Sequence, residues 1–216
     1  MKRLVVYDLD GTLVDTLEDI AAGVNHVLRA LGATPIATEE VRRHIGRGVH
    51  DLIERCLKTP DAKRVDEGIA LFRAYYADHF VDRSRLYPDA QNVLDHFRSR
   101  QQAVITNKPA PFSRQILETL GVAAYFIDII SGGSDYPHKP DPSSLLDLMR
   151  RAGAKPEETL VIGDSPIDVE MGLRAGASTA MVLHGLSDEP DLRAAGPEVL
   201  VADFAELLML ARQRKW

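Results

Sequence analysis

Apolar positions along the chain follow two rhythms. Six short, β-branched runs bounded by turn residues read as buried strands: Leu4–Tyr7, Ala103–Ile105, Ile127–Ile130, Leu160–Ile162, Thr179–Leu183 and Val199–Val201. Several are apolar without alternation, as expected of a parallel sheet covered on both faces. Helical patterns separate the later runs. One spans Pro111–Leu120 and stops at Gly121, where a helix-ending glycine belongs. Another opens at Asp141-Pro142, a cap followed by proline, sets Leu145, Leu146 and Met149 on one face, and closes at Gly153. Residues 202 to about 214 predict a surface helix at the sheet edge. Strands alternating with helices predict an open, doubly wound parallel α/β sheet of the Rossmann-like kind.

From about Asp15 to Arg85 the rhythm changes. Ile20, Val24, Val27, Leu28 and Leu31 recur at helical spacing, and Gly32 follows. Further helical patterns cover Glu39–His44, Val49–Lys58 and Ala62–Phe80, with no strand among them. The chain therefore divides into an α/β core of residues 1–14 and 86–216 and an inserted helical segment at 15–85. Leu86-Tyr87-Pro88-Asp89 is the expected return hinge, since proline punctuates the re-entry.

Composition narrows the class. The chain has 216 residues, 45% hydrophobic and 27% charged, as expected of a soluble globular protein with ample core. Its net charge of -6, from 26 basic and 32 acidic side chains, leaves no electrostatic footprint for nucleic acid. The single cysteine, Cys56, excludes an internal disulfide framework and suits a reducing compartment. No apolar run is long enough to span a bilayer, and Met1-Lys2-Arg3 with its short apolar sequel is not a signal peptide. A cytoplasmic protein without nucleic-acid or membrane partners is expected, as a monomer or homodimer.

The chemistry lies just beyond the strand candidates, where ligands bind in such sheets. Asp8-Leu9-Asp10-Gly11-Thr12 follows the first strand and Thr106-Asn107 the second. Lys139 sits in His138-Lys139-Pro140-Asp141-Pro142 beyond the third, and Gly163-Asp164-Ser165-Pro166-Ile167-Asp168 follows the fourth. Each piece alone is an ordinary turn or helix cap; in this order they bring four acids, a hydroxyl and a lysine to one sheet edge. Asp8, Asp10, Asp164 and Asp168 need a compensating cation, because like charges oppose one another's ionisation. All-oxygen ligands suit a hard ion such as Mg2+. Lys139 adds a fixed positive charge for a phosphoryl oxygen. An aspartate can attack phosphorus to form an aspartyl phosphate, and a second carboxyl can protonate the leaving oxygen and then activate water. The reaction class is magnesium-assisted phosphoryl transfer.

Over nearly its whole length the chain resembles the haloacid dehalogenase-like superfamily, and within it the phosphoglycolate phosphatase-like members with a helical cap. The resemblance implies that Asp8 is nucleophile and magnesium ligand, and that Asp10 is general acid and base and lends its backbone carbonyl to the metal. It implies that Thr106 and the Asn107 backbone hold the phosphoryl group, Lys139 neutralises it, and Asp164 and Asp168 ligate magnesium, the latter directly or through water. Residues 15–85 correspond to the cap that closes over a small phosphorylated metabolite. True dehalogenases lack an acid at the position of Asp10. A sugar-phosphate mutase or phosphotransferase, an inorganic pyrophosphatase, and a phosphate-ester-binding regulatory protein on the same scaffold remain alternatives. Phosphonoacetaldehyde hydrolases use a lysine in the early cap, where this chain has none.

Ile45-Gly46-Arg47-Gly48 places a glycine-flanked arginine between two helical patterns of the insert. It is either a surface turn with a solvated arginine, or a loop from which Arg47 grips a second anionic group of the substrate with its planar fork. His44 and His50 lack the spacing of ligands one helical turn apart.

Overall fold

A computed structural model describes residues 1–216. In chain order the elements begin with β1 (Leu4–Tyr7), β2 (Val14–Asp15), α1 (Leu17–Ala30), α2 (Thr38–Arg42), α3 (Val49–Leu57), α4 (Ala62–His79) and β3 (Arg85–Leu86). They continue through α5 (Ala90–His96), β4 (Gln101–Pro109), α6 (Phe112–Thr119), β5 (Asp128–Gly132), α7 (Ser143–Ala152), β6 (Thr159–Gly163) and α8 (Pro166–Arg174). The chain ends with β7 (Ser178–Val182), α9 (Glu189–Ala195), β8 (Val199–Val201) and α10 (Phe204–Arg214).

Six strands form one parallel sheet in the order β5-β4-β1-β6-β7-β8. Parallel strands need crossovers, and helices supply them on both faces. Alternation along each strand sorts the core into two layers. Val5, Tyr7, Val104, Leu160 and Ile162 face the cluster that includes α5 and α10. Leu4, Val6, Ala103, Ile105 and Val161 face the one built on α7 and α8. With both faces covered, all four β1 side chains are fully buried, which is why that strand reads as an unbroken apolar run.

Helices α1–α4 bury a third cluster of their own, centred on Val24, Leu28, Ile53, Val65 and Phe72, which also receives Phe112 from α6. The chain leaves and re-enters the α/β part through a two-stranded antiparallel ribbon, in which Val14 pairs Leu86 and Asp15 pairs Arg85. Asp19 at the start of α1 ties this junction. Its buried carboxylate accepts from Arg83 N at 3.0 Å, Ser84 N at 2.8 Å and Ser84 Oγ at 2.6 Å.

Element edges differ from the sequence expectation for identifiable reasons. The run Ala103–Ile105 grows into the nine-residue β4, because Thr106, Asn107 and Lys108 continue it as buried polar residues that hydropathy does not register. Its register with β5 slips between Ile105 and Pro109, a local irregularity of the kind that re-aims side chains. In α7 the buried face is Leu145, Leu148, Met149 and Ala152, and Leu146 is exposed. Asp141 caps from one position further out, accepting from Ser143 N at 2.9 Å. The β2–β3 ribbon and the short α5 and α9 carry too few residues for periodicity to mark them.

Asp19→Ala leaves three donors at the junction unpaired and is expected to lower stability by about 2–3 kcal/mol, the scale of lost hydrogen bonds to a buried charge. A urea midpoint unchanged from the parent chain would count against the junction role.

Candidate active site

The candidate groups of the α/β part gather at the carboxyl ends of the parallel strands, because all six strands run in one direction and their polar sequels share one edge. β1 delivers Asp8, whose N–H donates to Ile162 O at 2.9 Å and so locks it to the next strand. β6 delivers Asp164, and α8 presents Asp168 in its first turn. Lys139 arrives on the long connection between β5 and α7.

Asp8, Asp164 and Asp168 are all buried, and ligand oxygens of the three lie within 4.8 Å of one another. Lys139 Nζ stands between two of them, 2.8 Å from Asp8 Oδ1 and 2.7 Å from Asp168 Oδ1. The Asp8 contact is an ion pair without hydrogen-bonding alignment, so buried Asp8 Oδ1 has no hydrogen bond. Asp168 is fully engaged: its other oxygen accepts from Ser165 N at 3.2 Å and Ser165 Oγ at 2.5 Å. Asp164 accepts from Thr12 Oγ1 at 2.6 Å and Leu186 N at 2.7 Å, and no lysine or arginine pairs with it.

Burial sets the protonation of this cluster. Loss of solvent pushes the Asp8 carboxyl up to about 6 despite the opposing pull of Lys139. Asp164 is pushed up to about 8 by burial first and by the Asp8 and Asp168 charges second. Burial pulls Lys139 down, but Asp168 and Asp8 more than reverse this, and the ammonium stays charged. One ammonium against three carboxylates leaves an excess of negative charge. An all-oxygen donor set of three buried carboxylates answered by one ammonium fits a hard divalent cation.

Asp10 stands apart from the cluster. Its carboxylate accepts from Thr16 Oγ1 at 2.7 Å and pairs with Lys108 Nζ at 3.0 Å. Lys108 also donates to Tyr76 Oη at 3.0 Å, and its ammonium lies 4.8 Å from the Tyr76 ring centroid. Thr106 Oγ1 accepts from Lys108 N at 3.2 Å, and its own proton has no acceptor within the protein. The Asn107 side chain braces its surroundings: Nδ2 donates to Gly46 O at 2.9 Å and Lys139 O at 3.1 Å, while Oδ1 accepts from Lys139 N at 2.9 Å.

These groups floor a small pocket with a cavity volume of about 50 Å³. Asp8, Asp10, Thr106, Asn107 and Lys108 line it from the sheet edge, and Ile20, Ile45, Val49, Leu52 and Phe72 face them from the helical layer. The loop carrying Arg47 reaches the pocket through Gly46 and Gly48 only. Arg47 itself is exposed and does not line the pocket, because the two glycines turn their backbone toward the site. Lys108 is the site member that the sequence did not announce. Its one signal was adjacency to Thr106-Asn107, which cannot be told from a solvated strand-end lysine without the fold.

Residues 5–182 match the family model described as haloacid dehalogenase-like hydrolase. The chain is 35% identical over 206 residues to a phosphoglycolate phosphatase of Aquifex aeolicus, covering 92% of this chain and 95% of that protein. It is 33% identical over 215 residues to a phosphoglycolate phosphatase of Vibrio parahaemolyticus, covering 95% and 94%. Among solved structures, a predicted phosphoglycolate phosphatase from Haemophilus somnus superposes with a TM-score of 0.92 at 27% identity, covering 97% of this chain and 98% of the other. No helix is long and apolar enough to cross a membrane.

The raised carboxyls make a pH prediction. Between about 4, where an ordinary aspartate ionises, and about 8, the folded chain holds protons that the unfolded chain has released. Stability of metal-free protein should therefore fall as pH rises through that window. Denaturation in a chelator at pH 5 and pH 8 measures it, with a lower midpoint expected at pH 8 and recovery on adding a divalent cation. A flat profile would contradict the clustering of these carboxyls.

Proposed function

Because the chain belongs to the haloacid dehalogenase-like hydrolases, we propose that it is a magnesium-dependent phosphatase that hydrolyses a small phosphate monoester through an aspartyl phosphate on Asp8. One observation carries this reading: buried Asp8, one of three clustered carboxylates that share a single ammonium, opens onto a pocket that Asp10 and Thr106 also line. Asp8 and Asp164, with the Asp10 backbone carbonyl, would hold the cation; Asp168, which unlike Asp164 already has one oxygen on the Lys139 ammonium, would act through Lys139 or a bridging water. Bound magnesium supplies positive charge to the phosphoryl oxygens.

In the first step an Asp8 carboxylate oxygen attacks phosphorus and the bond to the leaving oxygen breaks. Protonated Asp10 gives its proton to that oxygen, and the alcohol departs. In the second, water attacks phosphorus, Asp10 takes its proton, and the bond to Asp8 breaks to release phosphate. The free Thr106 hydroxyl and the Lys139 ammonium stabilise the charge on the phosphoryl oxygens throughout. Helices α1–α4, the 15–85 segment, act as a cap that excludes water and contacts the leaving group.

Phosphoglycolate is the first substrate to test, since it names the relatives' activity. The apolar wall of Ile20, Ile45, Val49, Leu52 and Phe72 favours a second candidate, a monoester whose leaving group carries no charge. The same wall disfavours leaving groups that carry charge, the phosphate of pyrophosphate and the glycolate of phosphoglycolate alike, so the substrate comparison decides between the wall and the relatives' activity. Phosphate release from phosphoglycolate, pyrophosphate, sugar phosphates and phenyl phosphate, with and without magnesium, distinguishes them. Asp8→Asn should reduce release by at least about 10³-fold with the fold intact, the scale of losing a nucleophile. Substantial turnover by that variant would overturn nucleophilic catalysis by Asp8.

A further inference from the structure

Some contacts between the helical layer and the α/β part are made by side chains that the proposed chemistry does not use. Arg42, at the end of α2, lays its guanidinium against two successive carbonyls in the loop after β7. Its Nε donates to Leu186 O at 2.9 Å and its Nη2 to Gly185 O at 3.1 Å. Its remaining nitrogen pairs with Glu39 Oε1 at 3.0 Å on its own helix.

That loop is also the seat of Asp164. Leu186 N–H donates to Asp164 Oδ2 at 2.7 Å. Gly185 lies against the carboxylate so closely that a Cβ there would collide with the Asp164 side chain. On the other side, His184 Nε2 sits 3.1 Å from the carbonyl of Thr12, the residue whose hydroxyl donates to Asp164 Oδ1. Both oxygens of Asp164 are therefore aimed by groups that the 184–186 loop fixes, and Arg42 spans that loop from the opposite layer.

We infer that Arg42 is a positioning residue for Asp164: by clamping Gly185 and Leu186 it fixes the backbone N–H that aims one carboxylate oxygen, and so tunes the cation affinity of the site. This rests on the proposed magnesium site. Arginine suits the task because its rigid fork meets two carbonyls at once, which the single ammonium of lysine cannot do in the same geometry. Losing a group that orients a metal ligand typically costs 10- to 100-fold in metal affinity, and Arg42 acts one link further out, so about tenfold is expected.

The experiment compares the parent chain with Arg42→Ala, Arg42→Lys and, as a neighbouring exposed control, Arg43→Ala. Thermal midpoints are recorded without substrate across a magnesium titration. Arg42→Ala should need about tenfold more magnesium than the parent for the same rise in midpoint above its own metal-free value, Arg42→Lys should recover part of the loss, and Arg43→Ala should match the parent. With substrate present, the magnesium concentration for half-maximal rate should move by the same factor while the rate at saturating metal changes little. A purely structural contribution would lower the midpoint equally at every magnesium concentration, and that result overturns the assignment. A parent chain whose midpoint ignores magnesium altogether would instead remove the cation site on which the inference stands.

Discussion

Three carboxylates held out of water at the end of β1 and β6 impose the dominant constraint on this structure. Buried like charges resist ionisation, and burial first, with the neighbouring carboxylates second, raises the Asp8 and Asp164 carboxyls. Lys139 offsets part of the excess by standing between Asp8 and Asp168. Much nearby architecture serves to hold that lysine and those acids still. Asn107 grips the Lys139 backbone from both directions, Ser165 holds Asp168, and Thr12 and Leu186 hold Asp164. Preorganised charge of this kind is what stabilises a transferring phosphoryl group without rearrangement during the reaction.

A second polar knot surrounds Asp10. Lys108 ties it to Tyr76 on α4, so an acid of the α/β part and a phenol of the helical layer share one ammonium. Asn107 reaches Gly46 and Arg42 reaches Gly185 and Leu186 in the same spirit. In each case the tether lands on a residue beside a site group. The apolar seam between the layers supplies contact area, whereas these directional bonds supply register. A helical layer joined covalently only through the β2–β3 ribbon gains its placement over the pocket from them.

The parallel α/β architecture was legible in the order of residues, because strands buried on both faces must be apolar throughout, and β1 and β8 carry that mark to the residue. It also placed Asp8, Asp164, Asp168 and Lys139 at one edge, since parallel strands put all their carboxyl ends together. Hydropathy could not follow β4 past Ile105, where the buried residues turn polar, so Lys108 stayed hidden beside Thr106 and Asn107. Nor could it tell where Arg47 points: the glycines that flank it bring backbone to the pocket and leave the side chain in solvent. Which ammonium meets which carboxylate emerged with the fold, because ion pairing between Lys108 and Asp10, 98 positions apart, depends on distance in space rather than along the chain.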